Sequence, residues 1–418
     1  MEKDKLEPKL RFPGFTEPWE QRKLASLATM NARIGWQNLR TSEFLDSGDY
    51  LLITGVDFKS GGVDLEHCKF VDERRYEQDK KIQLSEGSIL LTKDGTLGKV
   101  AFIKSLPKPA TLNAGVFNIR VINPEKLSPK FLYIYLSGPF LMDYVAKTST
   151  GGTIQHLNQS VLRDFLVPYP KFEEQEKISS ILDGVNQIIT LHQRKEEELQ
   201  KLKKGLLQKM FPKDGESVPE VRFPNFTDSW EHRKLGNISK KCIVKNTNKA
   251  ITETFTNSAE HGIVSQRDFF DKDIANQENI SSYYVVNIGD FVYNPRISSS
   301  APCGPISRNK LGRQGIMSPL YTVFSPSGVD LAFLEQYFKT SRWYSYMYLN
   351  GDTGARADRF AIKDKSFFDM PIATPSSLNE QEIISTFLDQ TDYHITLHQR
   401  KTEELKKLKK ALLQQMFV

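Results

Sequence analysis

The sequence predicts a mixed α/β protein of two tandem domains, each followed by a long helix. The two helices pair as an antiparallel coiled coil with pseudo-two-fold symmetry. Three observations predict this. RFPGFTEPWEQRKL at Arg11–Leu24 returns as RFPNFTDSWEHRKL at Arg222–Leu235. EQEKISSILDGVNQIITLHQRKEEELQKLKKGLLQKMF from Glu174 returns as EQEIISTFLDQTDYHITLHQRKTEELKKLKKALLQQMF from Glu380. Between these signatures, residues 25–172 and 236–378 share only sparse landmarks, such as Gly87 against Gly289 and Phe131 against Phe333, so a common frame carries two variable modules.

The first domain takes residues 1–172. GSILLT at Gly87–Thr92 and GKVAFI at Gly98–Ile103 are strand-like runs separated by KDGTL, whose Asp94-Gly95 pair signals a hairpin. Ser128-Pro129 suits the cap and first turn of a helix through FLYIYL. TSTGGT at Thr148–Thr153 reads as a flexible polar loop, and DFLVPYP as a short strand ending in prolines. The first helix, residues 173–211, has no proline from Glu174 to Met210 and carries apolar residues at near-heptad spacing. Its expected seam is Ile178, Ile181, Val185, Ile188, His192, Leu199, Leu202 and Leu206. A rod of ~55 Å is too long for one face of a compact domain to hide, so it needs a partner.

Residues 212–220, PKDGESVPE, form a linker into the second domain, residues 221–378. There GDFVYN at Gly289, FLEQYF at Phe333 and the loop NGDTGARADR at Asn350–Arg359 repeat the outline. The second helix, residues 379–418, has the matching seam Ile384, Leu388, Ile395, His398, Leu405, Leu408 and Leu412. The second domain hangs from the end of the first helix and feeds the start of the second, so paired helices run antiparallel.

Composition bounds the function classes. With 39% hydrophobic and 26% charged residues the 418-residue chain is globular, and a formal charge of +6 permits a polyanionic partner without demanding one. Cys68, Cys242 and Cys303 form no CxxC pair, which argues against a cysteine zinc site or disulfide framework. No run of eighteen apolar residues occurs and MEKDKLEPKL lacks a signal-peptide core, so a cytoplasmic protein that engages no membrane is expected.

Catalytic signatures fail one by one. GTLGKV at Gly95 lacks the spacing and the hydroxyl residue of a phosphate loop, and no GxGxxG follows a strand. Asn294-Pro295-Arg296-Ile297 only half resembles the motif with which amino-group methyltransferases hold a flipped base. There is no Pro-Asp dipeptide, HExxH or GxSxG. His192 and His398 recur within LHQRK without a second ligand at i+4, so they suit helix register rather than metal binding. No catalytic or metal-binding residue is expected.

Basic and amide side chains do gather at the predicted tips. In the first domain these are Lys93, Thr96 and Lys99, then Thr153, Gln155, His156 and Asn158. In the second they are Arg296, Ser298, Ser299, Arg308, Arg313, Arg356 and Arg359. Arg and Lys neutralise phosphates or bond guanine edges, Gln and Asn suit adenine, and short hydroxyl residues fit grooves. As sets they point to double-stranded DNA.

These residues together resemble the specificity subunit of a type I restriction-modification system. The duplicated RFPGFTEPWEQRKL and the EQ-plus-helix segment carry the resemblance, with KDGTLG and the glycine loop before FLVPYPKFEEQEKI between them. The resemblance implies two target-recognition domains, each reading one half of a split DNA target, with the helices as spacer. It implies a non-catalytic chain without cofactors of its own. Two modification subunits would bring S-adenosylmethionine, and restriction subunits ATP and magnesium. The second copy departs from the pattern where NPRISSSAPCG replaces KDGTLG. The alternatives are the recognition subunit of a related methylation-only system and a non-catalytic coiled-coil scaffold.

Overall fold

The computed structural model describes residues 6–148, 157–270, 280–354 and 358–418. The chain divides into two units, Met1–Arg194 with Gln399–Val418, and Lys195–His398.

In the first unit a four-stranded antiparallel sheet runs in the order Ala28–Ala32, Val116–Val121, Ile89–Thr92, Val100–Phe102. Ile89–Thr92 is buried at all four positions because both faces of the sheet are covered. Side chains alternate across a strand, so Ile89 and Leu91 enter one core with Phe131 and Leu132, while Leu90 enters another with Leu51 and Leu112. The second core is closed by a three-stranded sheet, Lys69–Val71, Tyr50–Ile53 and Ala110–Leu112, the last two parallel. Helix Pro129–Ser137 begins as its residues dictate: Pro129 sits in the first turn and the Ser128 hydroxyl accepts from Phe131 N. Leu166–Tyr169 closes the domain by pairing with Glu20–Lys23.

The second unit repeats the frame. Its sheet runs Ser239–Lys241, Thr322–Pro326, Phe291–Tyr293, Ile306–Arg308. Phe291 and Tyr293 enter one core and Val292 another. Helix Leu331–Phe338 is capped by Asp330, which accepts from Phe333 N at 2.7 Å, and Pro371–Thr374 pairs with Glu231–Lys234. The outer strands differ, forming the hairpin Phe255–Ser258 with Gly262–Ser265 and the pair Tyr284–Val286 with Gly315–Met317.

The repeated signatures are the joints of this frame. Arg11 grips Glu174 with two bonds of 2.9 Å, and Arg222 grips Glu380 with bonds of 2.7 and 2.9 Å. The neighbouring amides do matching work. Gln175 accepts from Ser128 N at 2.8 Å and donates to Pro170 O at 2.8 Å, while Gln381 accepts from Asp330 N and donates to Pro375 O at the same distances. Each EQ pair thus ties the start of a long helix to its entering arm and to the cap of its domain's short helix.

The long helices are Phe172–Lys209, of 38 residues, and Leu378–Met416, of 39 residues. Each runs through both units. In the first unit Leu413, Met416 and Phe417 share a core with Trp19, Phe131, Ile178 and Leu182. In the second, Met210 and Phe211 share one with Trp230, Phe333, Ile384 and Leu388. The end of each helix therefore completes the domain that precedes the other. Phe417 lies with Ile178 near the start of the first helix, whereas Lys406 and Lys409 line a pocket with Ile189 and Gln193 further along it. In the second unit Phe211 lies with Ile384, and Lys203 bonds Asp392. Both pairs run antiparallel.

The seam departs from the heptad reading. Ile178, Ile384 and Leu388 are buried, and Val185, His192, Leu199, Leu206, Ile395, His398, Leu405 and Leu412 are half-buried. Ile181, Ile188, Leu202 and Leu408, at 42%, 46%, 53% and 48%, are exposed. The buried stripe instead takes Ser179, Leu182, Asp183 and Ile189, then Ser385, Thr391 and Thr402. Each helix half packs on a domain as well as on its partner, so the inward face is wider than an a/d line and admits polar residues.

Candidate nucleic-acid interface

In the first domain the strands Ile89–Thr92 and Val100–Phe102 end in a tip built on Gly95 and Gly98, with φ of 70° and 77°. A Cβ on Gly98 would meet Met142 Sδ at 2.3 Å. The Thr92 hydroxyl donates to Thr96 O and accepts from Lys99 N at 3.0 Å, which folds the tip over its own strand. Lys93 N donates to Gly115 O at 2.8 Å, and its ammonium stands 5.7 Å from the Phe117 ring centre. Leu157 N donates to Lys93 O at 2.9 Å, bringing Asn158 beside the tip. Thr96, Lys99 and Asn158 are exposed, and Asn158 makes no side-chain cap bond although it begins helix Gln159–Asp164. Thr153, Gln155 and His156 lie outside the described residues.

The second domain uses the same joint under a longer loop. Phe360 N donates to Pro295 O at 2.7 Å, as Leu157 N does to Lys93 O. Leu157 and Phe360 are the buried anchors, 3% and 2% exposed. A further bond from Ile297 N to Asp358 O, at 3.1 Å, leaves Arg296 and Arg359 bridged as neighbours. Both are exposed, and neither has an acidic partner among the described residues. Ser298 and Ser299 are exposed on the same loop, and Ser298 Oγ is 3.2 Å from Ser300 Oγ. Asn294 fixes the loop's base, donating from its amide to Asn257 O at 2.8 Å. Gly304, with φ of 82°, passes so close to Asn294 O that a Cβ would stand 2.1 Å from it. Arg356 lies outside the described residues.

Two of the expected arginines have acidic partners. Arg308 is on the strand paired with Phe291, and its Nε lies 3.0 Å from the buried Glu335 carboxylate, which Lys310 also bonds at 2.6 Å. Burial would push the Glu335 carboxyl up, but Lys339, Lys310 and Arg308 hold it below its ordinary range. Arg308 takes the place that Phe102 holds in the first domain, where Phe102 packs on Tyr133 at 5.3 Å. Arg313 is tied to Glu253 at 3.0 Å. Both are thus engaged by carboxylates, Arg308 at a buried one and Arg313 at the surface. The joint itself was missed in sequence reading; its only signal is that Leu157 and Phe360 follow the two glycine loops at matching places.

No group of three or more His, Cys, Asp or Glu placed to hold a metal occurs among the described residues, and no described helix is long and apolar enough to cross a membrane.

Comparison with known proteins agrees with this layout. Residues 16–201 match the family model described as type I restriction modification DNA specificity domain. The putative type I restriction enzyme MjaX specificity subunit of Methanocaldococcus jannaschii is 27% identical over 241 residues, 55% of this chain and 54% of that protein. The MjaIX specificity subunit of the same organism is 30% identical over 162 residues, 37% of this chain and 36% of that protein. The matches thus span about half or less of these relatives' length. The crystal structure of a type I restriction-modification system S subunit from M. genitalium shares the fold with a TM-score of 0.61 at 14% identity, covering 99% of both chains.

Proposed function

Since residues 16–201 match the family model described as type I restriction modification DNA specificity domain, we propose that the chain is the DNA-recognition subunit of a type I restriction-modification complex, reading a bipartite duplex with one half-site per domain. The observation that carries this reading is the repeated joint. One sheet order and one backbone bond, Leu157 to Lys93 or Phe360 to Pro295, present two chemically different tips. A common mount with divergent ends suits two domains that recognise different bases in the same manner.

On this reading the exposed cations Lys99, Arg296 and Arg359 set affinity through phosphates, while Thr96, Asn158, Ser298 and Ser299 approach base edges. The chain binds and positions DNA, and chemistry belongs to its partners. Two modification subunits carrying S-adenosylmethionine would dock on the exposed helix residues Ile181, Ile188, Leu202 and Leu408, and restriction subunits would supply ATP and magnesium chemistry. The two half-sites lie within about one helical turn of each other, with the intervening bases unread.

Replacing residues 25–172 with the corresponding segment of a different recognition subunit tests this. Methylation mapping of genomic DNA, from cells holding the chimaera and its modification subunit, should show one half-site changed and the other kept. A change in both, or no split motif at all, would sink the reading.

A further inference from the structure

A pocket of about 480 Å³ in the first unit lies between the back of the hairpin and the helix pair. Lys99, Lys406, Lys409, Asn186, Thr190 and Gln193 line it, and no lining residue is acidic. Lys406 is engaged by Glu403 at 2.7 Å. Lys409 is half-buried among these residues, and no carboxylate pairs with it or with Lys99 among the described residues. Burial alone pushes the Lys409 ammonium down. A partly buried ammonium that no carboxylate answers is stabilised by any anion that reaches it.

The duplication supplies an internal control. Aligning the two helix repeats from Glu174 and Glu380 places Lys203 opposite Lys409, and Asp392 opposite Asn186. In the second unit Lys203 bonds Asp392, which also takes Lys339 at 3.1 Å. The residues matching Lys339 and Glu335 in the first domain are Ser137 and Tyr133, both neutral and both on the pocket wall. The nearby Asp183 is occupied by Lys130 at 2.8 Å and Lys104 at 3.4 Å. The same frame thus holds a closed charge network in one unit and, in the other, an open cationic space.

We propose that this pocket is a phosphate-binding site, the anion standing where the Asp392 carboxylate stands in the second unit. Two unpaired ammonium groups with hydroxyl and amide donors suit an anion with several oxygens. The volume exceeds that of a bare ion and falls in the range of small-ligand pockets, so a phosphate ester fits. The phosphate could come from a free ester or from the backbone of a bound duplex; the chemistry at Lys409 is the same.

Isothermal titration of the full chain with inorganic phosphate and with AMP tests the site, alongside Lys409→Met and Asn186→Asp. Asn186→Asp supplies the second unit's carboxylate and fills the position from within while preserving the fold. Wild type is expected to bind AMP, with at least a tenfold loss in both variants. If neither small probe binds but both variants weaken a duplex of any sequence tenfold, the phosphate is the DNA backbone's and the site stands. If the variants alter neither AMP nor duplex binding, the proposal is overturned. None of these readings depends on which bases the tips recognise, so failure here leaves the recognition function untouched.

Discussion

At the scale of single residues, the arginines of the second domain differ in whether a carboxylate answers them among the described residues. Arg308 follows Ile306 on a strand whose register sets it opposite Phe291, and it turns toward Glu335. Arg296 and Arg359 are exposed and have no acidic partner among the described residues. Replacing either with Ala should leave stability within about 0.5 kcal/mol, as for surface sites without special contacts. Each replacement should weaken DNA binding across sequences and reduce the salt slope of log K by roughly 0.9 per lost phosphate contact. Fluorescence anisotropy at several salt concentrations would measure this, and an unchanged slope would remove these residues from the interface. Residue type alone made Arg296, Arg308 and Arg313 look alike in the sequence. Their partners come from strand register and distant segments, which composition does not record.

At the scale of elements, the long helices were legible because their signals are local: no proline, apolar periodicity and a repeated EQ start. The seam was only partly legible. Ile181 and Ile188 fit a heptad, yet Asp183 and Ser179 are the buried ones, since a domain and a helix crowd the same half of Phe172–Lys209. The repeated Met-Phe at each helix end carried no obvious role in the sequence, because its partners lie in the other repeat. Phe417 packs on Trp19 at 6.0 Å, Phe131 at 5.3 Å and Tyr135 at 5.4 Å. Removing such a ring leaves a cavity, so Phe417→Ala should cost about 3–5 kcal/mol. The loss should appear in the first domain, hundreds of residues away in sequence, as faster amide exchange in Ile89–Thr92. Faster exchange confined to Phe291–Tyr293 would contradict the assignment.

At the scale of the whole molecule, duplication gave two domains of one plan whose buried charges differ, and that difference has a pH signature. In the first unit Asp183 is held by Lys130 and Lys104. The second has Glu335 with Arg308, Lys310 and Lys339, and also Asp392 with Lys203 and Lys339. Burial opposes ionisation of Glu335 and Asp392, but the surrounding ammonium and guanidinium groups prevail and both carboxyls are held below their ordinary values of 4.5 and 3.8. A carboxyl whose folded pKa is depressed contributes stability that is present above its unfolded value and is lost as pH falls through the folded one. The stability of the chain should therefore fall as pH drops below about 4.5, with Glu335 and Asp392 supplying much of the slope. Urea midpoints of the full chain and of a Glu335→Gln, Asp392→Asn double variant, taken from pH 6 to pH 3, give the test. The variant should be less stable at pH 6 and lose less on acidification, because the groups that bind protons on unfolding are gone. Parallel curves would mean that the lysines do not hold these carboxylates ionised, and that the second unit's network is packing rather than charge.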